Sequence, residues 1–314
     1  MKKILLKTIV IVGPTASGKS DLAISLARKY NGEIISADSR QVYRGMDIGT
    51  GKVTKAEQRL ARHWLLDVAN PKRNYNVTHF VRDAKKALKD IDKRSKTAII
   101  CGGTGFWVQA LLEDNPFPSV KPDPLLRRKL NKLSAGQLFT KLKKQDPRRA
   151  KTIDAKNKVR LIRALEIVEV LGKVPALPKN HEARSTKHDY IILGLNVDKE
   201  VLWKNIKLRL EKRLRKGMVA EVKRLREEGV SWKKLESFGL EYKYIALYLQ
   251  KKLSRKEKLE RLEFEIRHFA KRQLVWLNRM EKQGWKICWV SSAREAEYIL
   301  SKFWKVLLEK MPPV

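Results

Sequence analysis

Eight residues early in the chain, Gly13-Pro14-Thr15-Ala16-Ser17-Gly18-Lys19-Ser20, have the types and spacing needed to hold a phosphate. The pattern G-x-x-x-x-G-K-[ST] works because its glycines let the backbone curl until successive N–H groups, together with the first turn of a following helix, face an anion. Lys19 adds a point charge, and Ser20 adds a hydroxyl ligand for Mg2+. An apolar run, Thr8 to Val12, precedes the loop, and a helix-like stretch opens at Asp21. That strand-loop-helix context is the one in which the pattern carries meaning. It says that a phosphate is held without saying which compound bears it.

Two further runs end in residues able to do chemistry. Glu33-Ile34-Ile35-Ser36-Ala37-Asp38 is apolar at its centre and closes on Asp38, and Thr97-Ala98-Ile99-Ile100-Cys101 leads into Gly102-Gly103-Thr104-Gly105. In open parallel sheets, ligands bind outside the carboxyl ends of the strands, so Asp38 and Thr104 are expected at the edge that carries the phosphate loop. Together the three strand ends offer a base, a hydroxyl, a phosphate clamp and a metal ligand. Taken alone they point to phosphoryl transfer by a small-molecule kinase or NTPase. In that use Asp38 would be the acidic ligand of Mg2+. The glycines after Ile100, however, bring no second acid to orient a hydrolytic water.

The elements that must position these residues follow from patterning. Strands are expected over about Leu5 to Val12, from Glu33, over Thr97 to Cys101, over Asp189 to Leu195 and over Trp285 to Val290. Helices are expected over Asp21 to Lys29, Val77 to Ile91, Lys199 to Lys216, Met218 to Glu228, Tyr242 to Gln250, Arg255 to Met280 and Ala293 to Leu308. Arg44 to Val68 reads as a glycine-bearing loop with helical content around Lys55 to Arg62. At Asn115 the texture changes: Pro116, Pro118, Pro122 and Pro124 mark a boundary. Leu125 to Leu133, Gly136 to Gln145 and Lys158 to Leu171 then read as helices, and Pro175 to Lys187 reads as a polar linker. Residues 115–185 hold eighteen Lys/Arg against six Asp/Glu, which marks a basic helical insertion, with 1–114 and 186–314 forming the core domain.

Bulk composition agrees. The 314 residues, 43% of them hydrophobic, suffice for one large or two modest domains. A formal net charge of +36 favours a polyanionic partner, most simply nucleic acid. Cys101 and Cys288 lie far apart and the five histidines do not cluster, which argues against a disulfide framework or a zinc site. Lys7 interrupts the opening apolar stretch, and no run approaches the roughly 18 apolar residues of a membrane span. A cytoplasmic monomer with no membrane contact is therefore expected.

Beyond these patterns, the chain resembles the tRNA dimethylallyltransferases. The resemblance rests on Gly13 to Ser20, on Ser36-Ala37-Asp38-Ser39-Arg40-Gln41-Val42-Tyr43 followed by Gly45-Met46-Asp47-Ile48-Gly49-Thr50, and on Gly102-Gly103-Thr104-Gly105. Arg163-Ala164-Leu165-Glu166, Ala270-Lys271-Arg272-Gln273 and Trp276 complete it, in the family's order, from residue 13 to about 279. It implies an α/β, P-loop NTPase-like parallel sheet flanked by helices, with an all-helical basic insertion. It implies that Gly13 to Ser20 grip the diphosphate of dimethylallyl diphosphate, with Mg2+ as cofactor. The five-carbon group then passes to N6 of the adenosine just 3′ of the anticodon, with Asp38 as general base and Thr104 positioning the amine. The tRNA anticodon stem-loop would lie against Asp38, Ser39, Arg40 and Gln41, against Val159, Arg160, Leu161, Ile162 and Arg163, and against Lys271, Arg272, Gln273, Trp276 and Arg279. The acceptor base would be turned out of its stack to reach the crevice. The chain departs from the family pattern at Phe106-Trp107, where Leu-Tyr is usual, and at Phe238 and Glu241, Phe238 standing where some members place Arg. A small-molecule kinase and a non-catalytic RNA-binding protein with a relic phosphate loop are the competing assignments.

Overall fold

Runs of β-branched residues without polar alternation dictate strands buried on both faces, and such strands assemble in parallel with helices on either side. The computed structural model describes residues 8–113, 117–176 and 190–309 and shows this arrangement. By chain contacts the protein divides into two compact units, residues 1–114 with 180–314, and residues 115–179.

The first unit begins with β1 (Thr8–Val12), α1 (Lys19–Lys29), β2 (Gly32–Ser36), α2 (Lys55–Leu60), β3 (His63–Trp64), α3 (Val77–Lys93), β4 (Thr97–Cys101) and α4 (Gly105–Glu113). The second unit holds α5 (Pro124–Leu130), α6 (Ala135–Gln145), α7 (Pro147–Ala150) and α8 (Lys158–Leu171). The first unit resumes with β5 (Tyr190–Leu195), α9 (Lys199–Arg215), α10 (Met218–Glu227), α11 (Trp232–Ser237), α12 (Leu240–Leu249), α13 (Arg255–Lys282), β6 (Ile287–Val290) and α14 (Ala293–Glu309). No described helix is long and apolar enough to cross a membrane.

The strands form one sheet in the order β3-β2-β4-β1-β5-β6, and every neighbouring pair is parallel. Alternate residues point to alternate faces. Ile9, Ile11, Ile34, Ile99, Ile191 and Leu193 pack with Leu22, Ala23 and Leu26 of α1 and with Ala296 and Leu300 of α14. Val10, Ile35 and Ile100, also fully buried, face the other way. Register sets the functional edge: Ser36 pairs with Cys101, Ile11 with Cys101 and Val12 with Gly194, so the carboxyl ends of four strands stand level. Gly102 is required there, because a Cβ on it would lie 2.2 Å from the carbonyl oxygen of Ala37.

The second unit packs Leu130, Leu138, Leu142, Ile153, Leu161 and Leu165 into its own core. Its buried carboxylate, Glu166, accepts from Arg127 at 2.6 and 2.8 Å, from the Asp123 N–H at 3.0 Å and from Arg163 at 3.3 Å. Burial alone would raise the pKa of Glu166, but these donors outweigh it and hold the group below the usual carboxylate range.

The parallel α/β expectation and the long helices are present in the structure. It adds β3 inside a stretch expected to be a loop, because a two-residue edge strand has no periodicity to read. It also adds α4, α7 and α11, the last two only 4 and 6 residues long. The start of the first strand at Leu5, the Asn115–Pro116 boundary and the linker from residue 177 onward lie outside the described residues.

Glu33 fixes the β3 edge. Its carboxylate, 1% exposed, accepts the Trp64 indole N–H at 2.8 Å and pairs with Arg94 and with Lys96. The Arg94 hydrogen bonds dominate over burial and lower its pKa from 4.5 to about 2. A depressed carboxylate pKa contributes stability above the unfolded value and loses it as pH falls through the folded one. Glu33→Gln should therefore cost about 3 kcal/mol near pH 7, and the difference should shrink below about pH 4.5 and vanish near about pH 2. Urea denaturation across that range checks it; a pH-independent difference would refute the assignment.

Candidate active site

At the level carboxyl edge lies a cavity of about 1310 Å³. That is more than the ~300–1,000 Å³ of a single small-ligand pocket, so it can take two reactants side by side. Thr15 to Ser20, Asp38 to Gln41, Gly102 to Phe106, Arg272, Gln273 and Trp276 all line it.

The phosphate loop reaches its shape through positive φ at Gly13 (+153°) and Gly18 (+87°), and Gly18 caps α1 without a side-chain bond. Pro14 lies behind the wall and its carbonyl accepts from Lys19 Nζ. Burial lowers the Lys19 pKa from 10.5 to about 8, with Arg209 adding like-charge repulsion, while Cys101 and Asp38 oppose the shift. The Cys101 thiol, pushed up to about 12 by burial, is a neutral wall group.

Asp38 stands just beyond β2. Its Oδ1 accepts the N–H groups of Arg40 (2.8 Å) and Gln41 (3.4 Å), and its Oδ2 takes no hydrogen bond among the described residues. The carboxylate is thus fixed at one oxygen and free at the other. Thr104 is latched beside it: Thr104 Oγ1 accepts the Ser39 N–H at 3.2 Å, and the Thr104 N–H donates to Ala37 O at 3.4 Å.

A wall of α9 completes the cavity, and the sequence reading missed it. Arg209, Lys212, Arg213 and Lys216 line it, with Asn205 one turn earlier. Their spacing of three and four residues was the available signal, but in a helix this rich in Lys and Arg one face does not stand out. Arg209 donates to Thr15 Oγ1 at 3.4 Å, and Arg213 to Gly49 O at 3.3 Å and Glu241 at 3.1 Å. Burial, then the neighbouring Arg213 charge, lowers the Arg209 pKa to about 10. Burial likewise lowers that of Arg40. Gly51 makes room for this pair, since a Cβ there would sit 1.5 Å from Arg213 Nη2.

The loop behind them hangs on Glu221, also missed. Its carboxylate accepts the N–H groups of Asp47, Ile48 and Gly49 at 2.8–2.9 Å and the Tyr242 hydroxyl at 2.7 Å. Glu241, a departure from the family pattern, holds Arg213 in place. Phe238 is buried against Tyr43 and Tyr242. Phe106 stands half-exposed, edge-on to Trp276, while Trp107 is buried against Phe80.

Other expected contact residues are placed unevenly. Lys271 and Arg279 are exposed on α13 outside the cavity lining. Val159 and Arg160 are exposed on the second unit, whereas Leu161 and Ile162 point into its core and Arg163 is tied to Glu166 and Val120 O. Of these five side chains, Val159 and Arg160 are the exposed ones. Gln273 is also turned inward, with both ends of its amide bonded to backbone.

The electrostatics call for an anion. Three buried polar atoms in this wall, Ser17 Oγ, Arg213 Nη2 and Trp276 Nε1, have no hydrogen-bond partner among the described residues. Among the described residues no cluster of three or more His, Cys, Asp or Glu could hold a metal alone. Ser20 lines the cavity, and its hydroxyl makes no hydrogen bond among the described residues. A single hydroxyl of this kind could serve only a cation such as Mg2+, which keeps several waters and takes substrate phosphates as its other ligands.

Comparison with known proteins places the chain in a lineage. The family model described as IPP transferase matches residues 41–280. The chain is similar to tRNA dimethylallyltransferase 2 of Treponema denticola, 43% identical over 289 residues that span 90% of this chain and 95% of the relative. It is similar to the tRNA dimethylallyltransferase of Lachnoclostridium phytofermentans, 40% identical over 96% of this chain and 97% of that one. Among solved structures, the tRNA isopentenylpyrophosphate transferase of Bacillus halodurans superposes with a TM-score of 0.71 at 29% identity, covering 97% of this chain and 98% of its own. A eukaryotic dimethylallyltransferase acting on tRNA superposes with a TM-score of 0.79 at 26% identity, covering 98% and 80%.

The cavity cations generate a direct expectation. Lys19→Ala should weaken inorganic diphosphate binding by roughly tenfold or more. Wild-type affinity should decline as pH rises past about 8, because Lys19 then loses its proton. Calorimetry at pH values on both sides of that point measures both effects, and a flat profile would remove Lys19 as the anion's partner.

Proposed function

We infer the reaction from the premise that this chain belongs to the tRNA dimethylallyltransferase family, and propose that it transfers a dimethylallyl group from dimethylallyl diphosphate to tRNA. The acceptor is the exocyclic N6 of the adenosine 3′-adjacent to the anticodon. One observation carries the assignment to residues: phosphate loop, Asp38 and Thr104 share one cavity, ringed by desolvated cations, with space for a second reactant.

The diphosphate lies on Thr15 to Ser20, with Lys19, Arg209 and Arg213 around it. As the allylic C–O bond breaks, negative charge grows on the leaving oxygen, and cations already held in place by the fold stabilise it without reorganising. Each such donor contributes roughly 3 kcal/mol. Mg2+ at Ser20 would add Lewis-acid charge neutralisation on the same oxygens.

The amine of adenine is a weak nucleophile. Asp38 Oδ2, the oxygen left unbonded, takes its proton as the C–N bond forms, while the backbone N–H groups on Oδ1 keep the carboxylate from turning away. Thr104 Oγ1, oriented by Ser39, hydrogen-bonds the amine and holds its lone pair toward the allyl carbon. The products are the N6-substituted adenosine, diphosphate and a proton on Asp38.

Reaching N6 requires the base to leave its stack. Trp276 and Phe106 at the cavity wall offer aromatic faces, Arg272 a cation, and the basic second unit phosphate contacts through Arg160 and its exposed lysines.

The test is mass spectrometry of an anticodon stem-loop incubated with dimethylallyl diphosphate and Mg2+. A gain of one dimethylallyl unit on that adenosine is expected; an unmodified, retained RNA would point instead to binding alone. Asp38→Asn should lower kcat by about 10²–10⁴ with tRNA affinity within about threefold. Wild-type turnover in that variant would exclude Asp38 as the base. The tRNA affinity should drop at least about tenfold between roughly 50 and 200 mM salt, and a salt-independent Kd would sever the link between the charge of the chain and RNA.

A further inference from the structure

We propose that Gln273 is a positioning residue that locks the phosphate loop and the Gly102–Gly105 turn to α13, setting both reactant sites through one side-chain amide. The inference rests on the transferase reading above and adds a residue to it. Gln273 is 8% exposed. Its Oε1 accepts the Thr15 N–H at 2.8 Å, and its Nε2 donates to Gly103 O at 2.8 Å. The amide can sit only this way round, since the reverse would set donor against donor and acceptor against acceptor.

The bonded partners matter more than their number. Thr15 opens the part of the phosphate loop that lines the cavity, and its N–H, spent on Gln273, fixes how the following N–H groups are aimed. Gly103 directly precedes Thr104, so its carbonyl fixes the turn that carries the hydroxyl beside Asp38. Glycine is needed for this approach: a Cβ on Gly103 would fall 2.3 Å from Gln273 Nε2, and one on Gly105 would fall 2.3 Å from Trp276 Cδ1. Gln273 and Trp276, three residues apart, thus seat one face of α13 on one turn. Lys271, Arg272 and Arg279 stand exposed on the same helix. A force on α13 from bound RNA would reach both loops through Gln273.

The amide accepts and donates here at any ordinary pH, which an ionised carboxylate cannot do. Gln273→Glu keeps the acceptor for Thr15 and loses the donor for Gly103, while Gln273→Leu loses both. Steady-state kinetics of the full chain with dimethylallyl diphosphate and an anticodon stem-loop should therefore separate them. For Gln273→Glu, kcat should fall by about tenfold or more, with KM for the diphosphate within about threefold of wild type. Its kcat should approach wild type as pH is lowered, because a protonated carboxyl can donate to Gly103 O. Gln273→Leu should raise that KM by about tenfold as well. Gly103→Ala, which pushes the amide aside without altering it, should match Gln273→Glu, and it decides the matter should a Gln273 variant not fold. Stem-loop Kd should stay within about threefold in all three, since the amide faces inward. Wild-type kcat in Gln273→Glu and Gly103→Ala would overturn the proposal, as would a loss of RNA affinity that accounts for the lost activity. If wild-type protein transfers no prenyl group, the transferase reading fails instead. The clamp then stands or falls on inorganic diphosphate, whose affinity Gln273→Leu should weaken by about tenfold.

Discussion

Ser36, Cys101 and Ile11 stand level across three hydrogen-bonded parallel strands, and the chemistry of the molecule depends on that register. A slip by one residue would turn each buried strand inside out and carry Asp38 or Thr104 away from the phosphate loop. The register is held by β-branched residues packed on both faces and by glycine at positions where any side chain would collide, Gly102 against Ala37 above all. Rigid strand ends then let short turns present reacting groups with little freedom, which is where orientation contributes to rate.

What the strands position, charge distribution makes reactive. Lys19, Arg40 and Arg209 are each depressed in pKa, in every case chiefly by burial. Cations crowded out of water are costly until an anion joins them. The site is therefore organised before its ligand arrives, and in the reaction proposed for it the departure of diphosphate is where such organisation has most effect. The Glu221 carboxylate contributes at one remove, holding the 47–49 backbone against which Arg213 rests.

Much of this was legible in the residues. The phosphate loop, the strand-end Asp38 and Thr104, the parallel sheet and the basic helical insertion all follow from local pattern: glycine spacing, apolar runs and a proline-marked change of texture. Arg209, Arg213, Glu221 and Gln273 were not assigned their places, because each acts across more than a hundred residues of chain and no local pattern records the partner. Gln273 stood among the expected RNA contacts on resemblance, yet the structure turns its amide inward, as it turns Leu161 and Ile162 into the core of the second unit. A helix stripe announces which side chains share a face; which face is buried is decided by what packs on it.

The central claim is that one carboxylate oxygen of Asp38 meets the acceptor amine while the phosphate loop holds the departing diphosphate. The most direct measurement is a structure of the protein with an anticodon stem-loop and inorganic diphosphate. The account predicts N6 of the extruded adenosine about 3 Å from Asp38 Oδ2, with diphosphate on Thr15 to Ser20 beside Lys19 and Arg209. An adenine whose N6 points away from Asp38, or a diphosphate bound outside that loop, would contradict it.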